Sequence, residues 1–434
     1  MDNQDKQKAL VRTLTCGAEL EFLMPNHEES ETIYAPLITK LALAIKFGTS
    51  SQPVAAVCHH QDFEMSCLVC VSISREDMLD QETAIFRRPS SRDGQAWGRN
   101  FPAKHSFYVV KAEDKHQAEL RRGPERAIEL ATPVFRKRDV DEGLLSLDKV
   151  FRAFAKMSIE ELNYDASCGL HIHTGLLKGV FAVDAKRLIT LILMLESVFL
   201  RDIIPRHRQY SPFGAGLIGS SGFGLGDHGS HKDEDPAEMA AHLPWGNAEP
   251  PMRAWNNRSP RLWRDALRRI WNSPSLVDLA QGVCRYDRYN GWKPLSFVIR
   301  LRDGQGRPLP DDQGSLRSAS GSRSGGQDDF PRSTFEFRYP TMTFEVEFIQ
   351  FWLEICNKLT EIASLPTDEY KGWIKRLDDA LDAVDGRVLH ERAQELGFPK
   401  PEVRAILTEL KLPHIVESWA RVISENPSKR MGPQ

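Results

Sequence analysis

With 434 residues and a 41% hydrophobic composition, the chain is long enough to bury one large core or two ordinary ones. Its formal net charge of -3 provides no basic field for nucleic acid or anionic membrane, so small-molecule partners are expected and those two are not. The most apolar run, residues 188–200, is too short to span a bilayer and carries Glu196, so it reads as a buried helix.

In chain order, the N-terminal residues are polar and lack the apolar segment of a secretory signal, which predicts a cytoplasmic protein. Residues 12–23 alternate as a strand. Residues 34–47 have helical apolar spacing (Leu37, Leu41, Leu43, Ile45) and end at Gly48. Residues 53–74, rich in Val and Cys, read as one or two strands, and 107–110 and 127–130 as short strands around a charged hairpin. A helix is expected over 140–162, a strand over 167–174 and a helix over 184–203 that stops before Pro205. Strand patterns follow at 295–301 and 334–339, then a helix at 345–363 and only helical spacing from Thr367 onward. Residues 211–251 and 303–333, rich in Gly, Ser and Pro, read as mobile inserts in a catalytic domain of residues 10–365. Residues 366–434 read as a helical extension.

The odd number of cysteines, scattered through apolar stretches, suits reduced thiols in a reducing compartment. Cys58, His59, His60, Cys67 and Cys70 have zinc-binding donor types, but their spacing fits no familiar zinc finger.

The chemistry is carried by strands with polar residues at i and i+2, a spacing that puts both on one face. Glu19 and Glu21 alternate with Leu20 and Phe22, and Glu129 lies between Ile128 and Leu130. His171 and His173 alternate with Leu170 and Ile172, as Glu336 and Arg338 do with Phe335 and Phe337. Each pattern has a plain alternative: Glu-X-Glu as a solvated strand face, His-X-His as a satisfied one, Glu-X-Arg as a surface ion pair. If one sheet collects Glu19, Glu21, Glu129 and Glu336, the repulsion among their carboxylates must be relieved by protons or cations. Oxygen-rich ligation with an imidazole suits Mg²⁺ or Mn²⁺, and Arg338 could then hold a transferring phosphoryl group.

In order and wording, Gly17-Ala18-Glu19-Leu20-Glu21-Phe22, Glu129-Leu130-Ala131-Thr132-Pro133, Cys168-Gly169-Leu170-His171-Ile172-His173 and Phe335-Glu336-Phe337-Arg338 resemble the amidoligase family. Its members are ATP-dependent carboxylate-amine ligases related to glutamine synthetase and glutamate-cysteine ligase. The resemblance covers about residues 16–359 and extends to Pro205-Arg206-His207-Arg208-Gln209-Tyr210 and Arg285-Tyr286-Asp287-Arg288-Tyr289-Asn290. It implies an α+β fold, an antiparallel β-sheet funnel of glutamine-synthetase-like type with helices on its outer face and ATP entering at one mouth.

By the same resemblance Glu19, His171 and Glu336 hold one Mg²⁺ or Mn²⁺, and Glu21 with Glu129 helps to hold another. His173 and Arg338 contact phosphate or substrate. The family's aromatic and Asp-X-Ser pattern is blurred here, with Tyr108 and Asp114 the nearest matches. The implied reaction joins a small-molecule carboxylate, activated as an acyl phosphate, to an amine. Glu129 and Asp114 are the candidate bases for that amine. Three other readings compete with it: a phosphagen-kinase-like phosphotransferase, an inactive ligase fold kept for binding, and a cupin-type oxygenase. The last lacks the carboxylate such sites place soon after the second His, since residues 174–183 contain none.

Overall fold

The computed structural model describes residues 14–25, 34–49, 54–58, 83–87, 108–112, 125–156, 162–165, 167–177, 179–203, 215–226, 236–245, 260–287, 291–302, 333–383, 401–416 and 418. His59, His60, Cys67, Cys70, Asp114, residues 205–210 and most of the 303–333 insert lie outside them, as does the side chain of Cys58. The class is α+β, and the chain divides into two compact units.

The first unit lies within Thr15–His171 and Thr341–Gln350. Its strands are β1 (Leu14–Pro25), β2 (Val54–Cys58), β3 (Thr83–Arg87), β4 (Tyr108–Ala112) and β5 (Glu125–Ala131), in the order β3-β2-β4-β5-β1. The ladders β4-β5 and β5-β1 are antiparallel as expected, whereas β2 runs parallel to both β3 and β4. Strand alternation decides what each face carries. Leu20, Phe22, Val110, Ile128 and Leu130 are all buried on one side. Helices Tyr34–Thr49 and Leu145–Lys156 pack against this side, with Phe154 at 6.5 Å from Phe22 between ring centroids. Phe344 closes the same core, 5.8 Å from Phe22 and 5.3 Å from Phe151.

The single helix expected over 140–162 is instead two, Lys137–Asp141 and Leu145–Lys156. Between them Gly143 and Leu144 adopt φ of 83° and 54°, a left-handed break that Gly143 accepts without steric cost.

The second unit lies within Ile172–Pro340 and Phe351–Gln434. Strand β6 (Leu170–Leu176) passes into it at Ile172, and β7 (Arg285–Asp287) pairs with β8 (Gly291–Lys293) as a small hairpin. β9 (Phe297–Arg300) and β10 (Thr334–Phe337) complete an antiparallel run β6-β10-β9. Phe297, Phe335 and Phe337 share one face, with ring centroids 6.1 and 5.3 Å from Phe297, and Trp352 of helix Val346–Ala363 stands edge-on to Phe337 at 6.2 Å.

Helix Ala182–Glu196 is buried at every residue from Asp184 to Glu196, so its charged groups must find partners inside. Lys186 reaches Glu238 at 2.6 Å and the Trp271 carbonyl at 3.1 Å. Arg187 donates to the carbonyls of Ala363 (3.3 Å) and Leu365 (2.5 Å), to Thr367 Oγ1 (2.8 Å) and to His242 Nδ1 (2.9 Å). Tyr370 returns a hydrogen bond to the Arg187 carbonyl at 3.0 Å. Helix Thr367–Asp382, expected as part of an extension, is thereby fastened into the interior of this unit.

Residues 211–251 were expected to be a mobile loop because of their Gly, Ser and Pro content. Within the described part they form short helices, Leu217–Ser220, Gly222–Leu225 and Ala237–His242, that bury Leu217, Phe223 and Met239. The glycines here permit close packing: a Cβ at Gly224 would lie 2.1 Å from the Ile218 carbonyl oxygen. Among the described residues no helix is long and apolar enough to cross a membrane.

Candidate functional site

In the first unit, the face opposite the core carries Glu19, Glu21, Glu129 and Lys111. Glu21 stands directly across from Glu129 in the β1-β5 ladder, and Glu129 across from Lys111 in β4-β5. Opposed like charges destabilise a ladder. Lys111 relieves this one, its Nζ lying 2.8 Å from Glu129 Oε1. Glu21 is fixed from another side, because its Oε2 accepts the Gly169 backbone N–H at 2.7 Å. His171, buried at 2% exposure, turns Nδ1 towards both remaining carboxylates, 3.6 Å from Glu21 Oε1 and 3.8 Å from Glu19 Oε2. Hard oxygen donors around one imidazole fit a divalent cation of the Mg²⁺ or Mn²⁺ type.

In the second unit, alternation along β10 puts Thr334 and Glu336 on one face, away from Phe335 and Phe337, and Arg338, just past its end, turns to bond Glu336. The register sets His173 opposite Glu336, and an imidazole nitrogen and a carboxylate oxygen of the pair lie within 4.8 Å. His173 Nδ1 is 3.4 Å from Thr334 Oγ1. Glu336 is completely buried, and both of its oxygens take guanidinium N–H groups: Oε1 from Arg338 Nη1 at 2.6 Å, Oε2 from Arg300 Nε. The Arg338 backbone is held by the Ser296 carbonyl at 2.7 Å. Behind it Glu196 Oε1 accepts from Tyr339 Oη at 2.9 Å, and its Oε2 from the Leu217 N–H at 2.8 Å. Burial raises the Glu196 carboxyl above its usual range and pushes the Tyr339 phenol well above its own.

Glu19, Glu21, Glu129 and His171 come together in one unit, and His173, Glu336 and Arg338 in the other. Within the first unit His171 faces Glu19 and Glu21, and within the second His173 opposes Glu336. Tyr108 belongs with the core: it shares the parity of Val110, is fully buried and bonds Ser146 Oγ at 2.9 Å. Cys168, beside the Gly169 contact, is an inert thiol, pushed up to about 12 by burial. Lys111 and Arg300 were not singled out from sequence. Their signal was available only in part, since Arg300 alternates with Ile299 at the end of a strand but its partner lies in another one.

Compared with known proteins, the chain matches no protein-family model and no curated protein sequence.

Proposed function

We propose that this protein is an ATP-dependent ligase that joins a small-molecule carboxylate to an amine, drawing on the cytoplasmic ATP pool. In this reading Glu19, Glu21, Glu129, His171 and Glu336 serve Mg²⁺ or Mn²⁺, and His173 and Arg338 serve the phosphate groups. The strands would then form the glutamine-synthetase-like funnel that the sequence resemblance implies. The observation that supports it best is the row in which Glu21 opposes Glu129 while His171 faces Glu19 and Glu21, a set of donors that a hard cation would satisfy.

Bound divalent cations supply charge neutralisation on the phosphates. A substrate carboxylate oxygen bonds to the γ-phosphorus as the bond to ADP breaks, and Arg338 steadies the transferring group. The amine nitrogen then attacks the acyl carbon. The carbon–oxygen bond to phosphate breaks, inorganic phosphate leaves, and the amine proton passes to a base, for which Glu129 is the candidate within the described residues.

The test is incubation of the chain with ATP, Mg²⁺ and pooled acids and amines, following phosphate release and new masses. Stoichiometric phosphate and a condensed product support the ligase. A phosphorylated guanidino compound would indicate a phosphotransferase, and no ATP turnover in any pool would count against both.

A further inference from the structure

One buried carboxylate, Glu336, holds two guanidinium groups, one on each oxygen. The two arginines are not equivalent. The Arg338 side chain is 6% exposed and its backbone is tied to Ser296, whereas Arg300 ends β9 with its side chain 26% exposed. If Arg300 leaves, its charge moves towards solvent and Glu336 keeps a cationic partner, so no uncompensated buried charge results. If Arg338 leaves, its own charge stays buried. Across the ladder His173 presents a nitrogen within 4.8 Å of a Glu336 oxygen, close to the separation that two donors each about 2.1 Å from one hard cation can span.

We propose that Arg300 is the resident counter-cation of Glu336: it occupies Oε2 until a divalent cation takes that oxygen, and its released guanidinium then serves the phosphate-bearing ligand. This rests on the ligase reading for Glu336 as a metal ligand and for the phosphate-bearing ligand. Cation and phosphate then favour each other's binding, since each stabilises the arrangement in which Arg300 has left Glu336, and that coupling is reciprocal. Arg338 keeps hold of Oε1 throughout and prevents the buried carboxylate from standing alone.

Calorimetric titration with Mn²⁺ alone tests the exchange on the full chain. Affinity should rise in the order parent, Arg300→Lys, Arg300→Gln, the last by about fivefold or more, the low end of ordinary coupling. Arg300→Lys decides the matter if Arg300→Gln does not fold. Equilibrium dialysis with ADP should show Mn²⁺ tightening ADP binding in the parent and much less in Arg300→Gln. Lys375→Gln, which removes a charge from an exposed pair with Asp379, should leave both affinities at the parent's values. Mn²⁺ binding to the parent with no gain in the Arg300 variants, or an equal gain in Lys375→Gln, overturns the exchange alone. No Mn²⁺ binding to the parent overturns it together with the metal-dependent reading.

Discussion

Arg338 Nη1 donates to Glu336 Oε1 at 2.6 Å, two residues back along the same strand. Strand parity places both groups on one face, and the sequence resemblance gives them separate tasks, Glu336 towards a metal and Arg338 towards phosphate. The direct bond makes them one electrostatic unit. Glu336→Gln and Arg338→Lys should therefore be non-additive in a double-mutant cycle, with a coupling of about 1–3 kcal/mol in denaturant unfolding. Additivity within about 0.5 kcal/mol would mean that the bond contributes nothing in solution.

Glu21 has a structural task besides any metal, because it accepts the Gly169 N–H at 2.7 Å. Glu21→Ala orphans that donor and should cost about 1–3 kcal/mol. Glu21→Gln retains an acceptor oxygen, so it should keep most of the stability yet weaken Mn²⁺ binding. Urea unfolding and metal titration on the same preparations separate the two effects. Equal stability loss in both variants would remove the hydrogen bond from the account.

Arg187 satisfies two carbonyls, Thr367 and His242 from inside the second unit. Arg187→Met should destabilise by on the order of 3 kcal/mol or more, since several buried acceptors lose their donor. A loss below about 1 kcal/mol in chemical unfolding would show that those acceptors find other donors.

His242 carries a pH signature of that clamp. Burial first, and the Arg187 guanidinium second, hold its imidazole below the ordinary 6.5, with Lys186 and Lys371 acting in the same direction and Glu238 opposing. The folded state thus resists a proton that the unfolded chain accepts. Its contribution is complete above pH 6.5 and declines as the pH falls below that, until the folded state is protonated too. His242→Gln should flatten the loss of unfolding free energy between pH 7.5 and 5 relative to the parent. Parallel curves for parent and variant would refute the assignment.

Gly216 and Gly282 are spaces rather than hinges. A Cβ at Gly216 would meet Glu196 Oε2 at 2.7 Å, and one at Gly282 would meet the Phe223 ring at 2.1 Å. Alanine at either position should cost about 1–3 kcal/mol by overpacking. A melting temperature unchanged by Gly282→Ala would show that the ring moves aside freely.

What the sequence determined by itself was local: which residues alternate, where the long helices run, and that Glu19 with Glu21, His171 with His173 and Glu336 with Arg338 each share a strand face. That follows from the two-residue period of a strand, which needs no knowledge of neighbours. The break at Gly143 and the packed glycine-rich helices near Phe223 were less legible, because composition averages over a segment while packing depends on one Cβ. Only the tertiary structure decided the cross-strand partners. Lys111 meets Glu129 and Arg300 meets Glu336 through ladder register, a long-range choice set by burial of the opposite apolar face. Those partners turn isolated carboxylates into paired ones, and so determine which oxygens a cation must compete for.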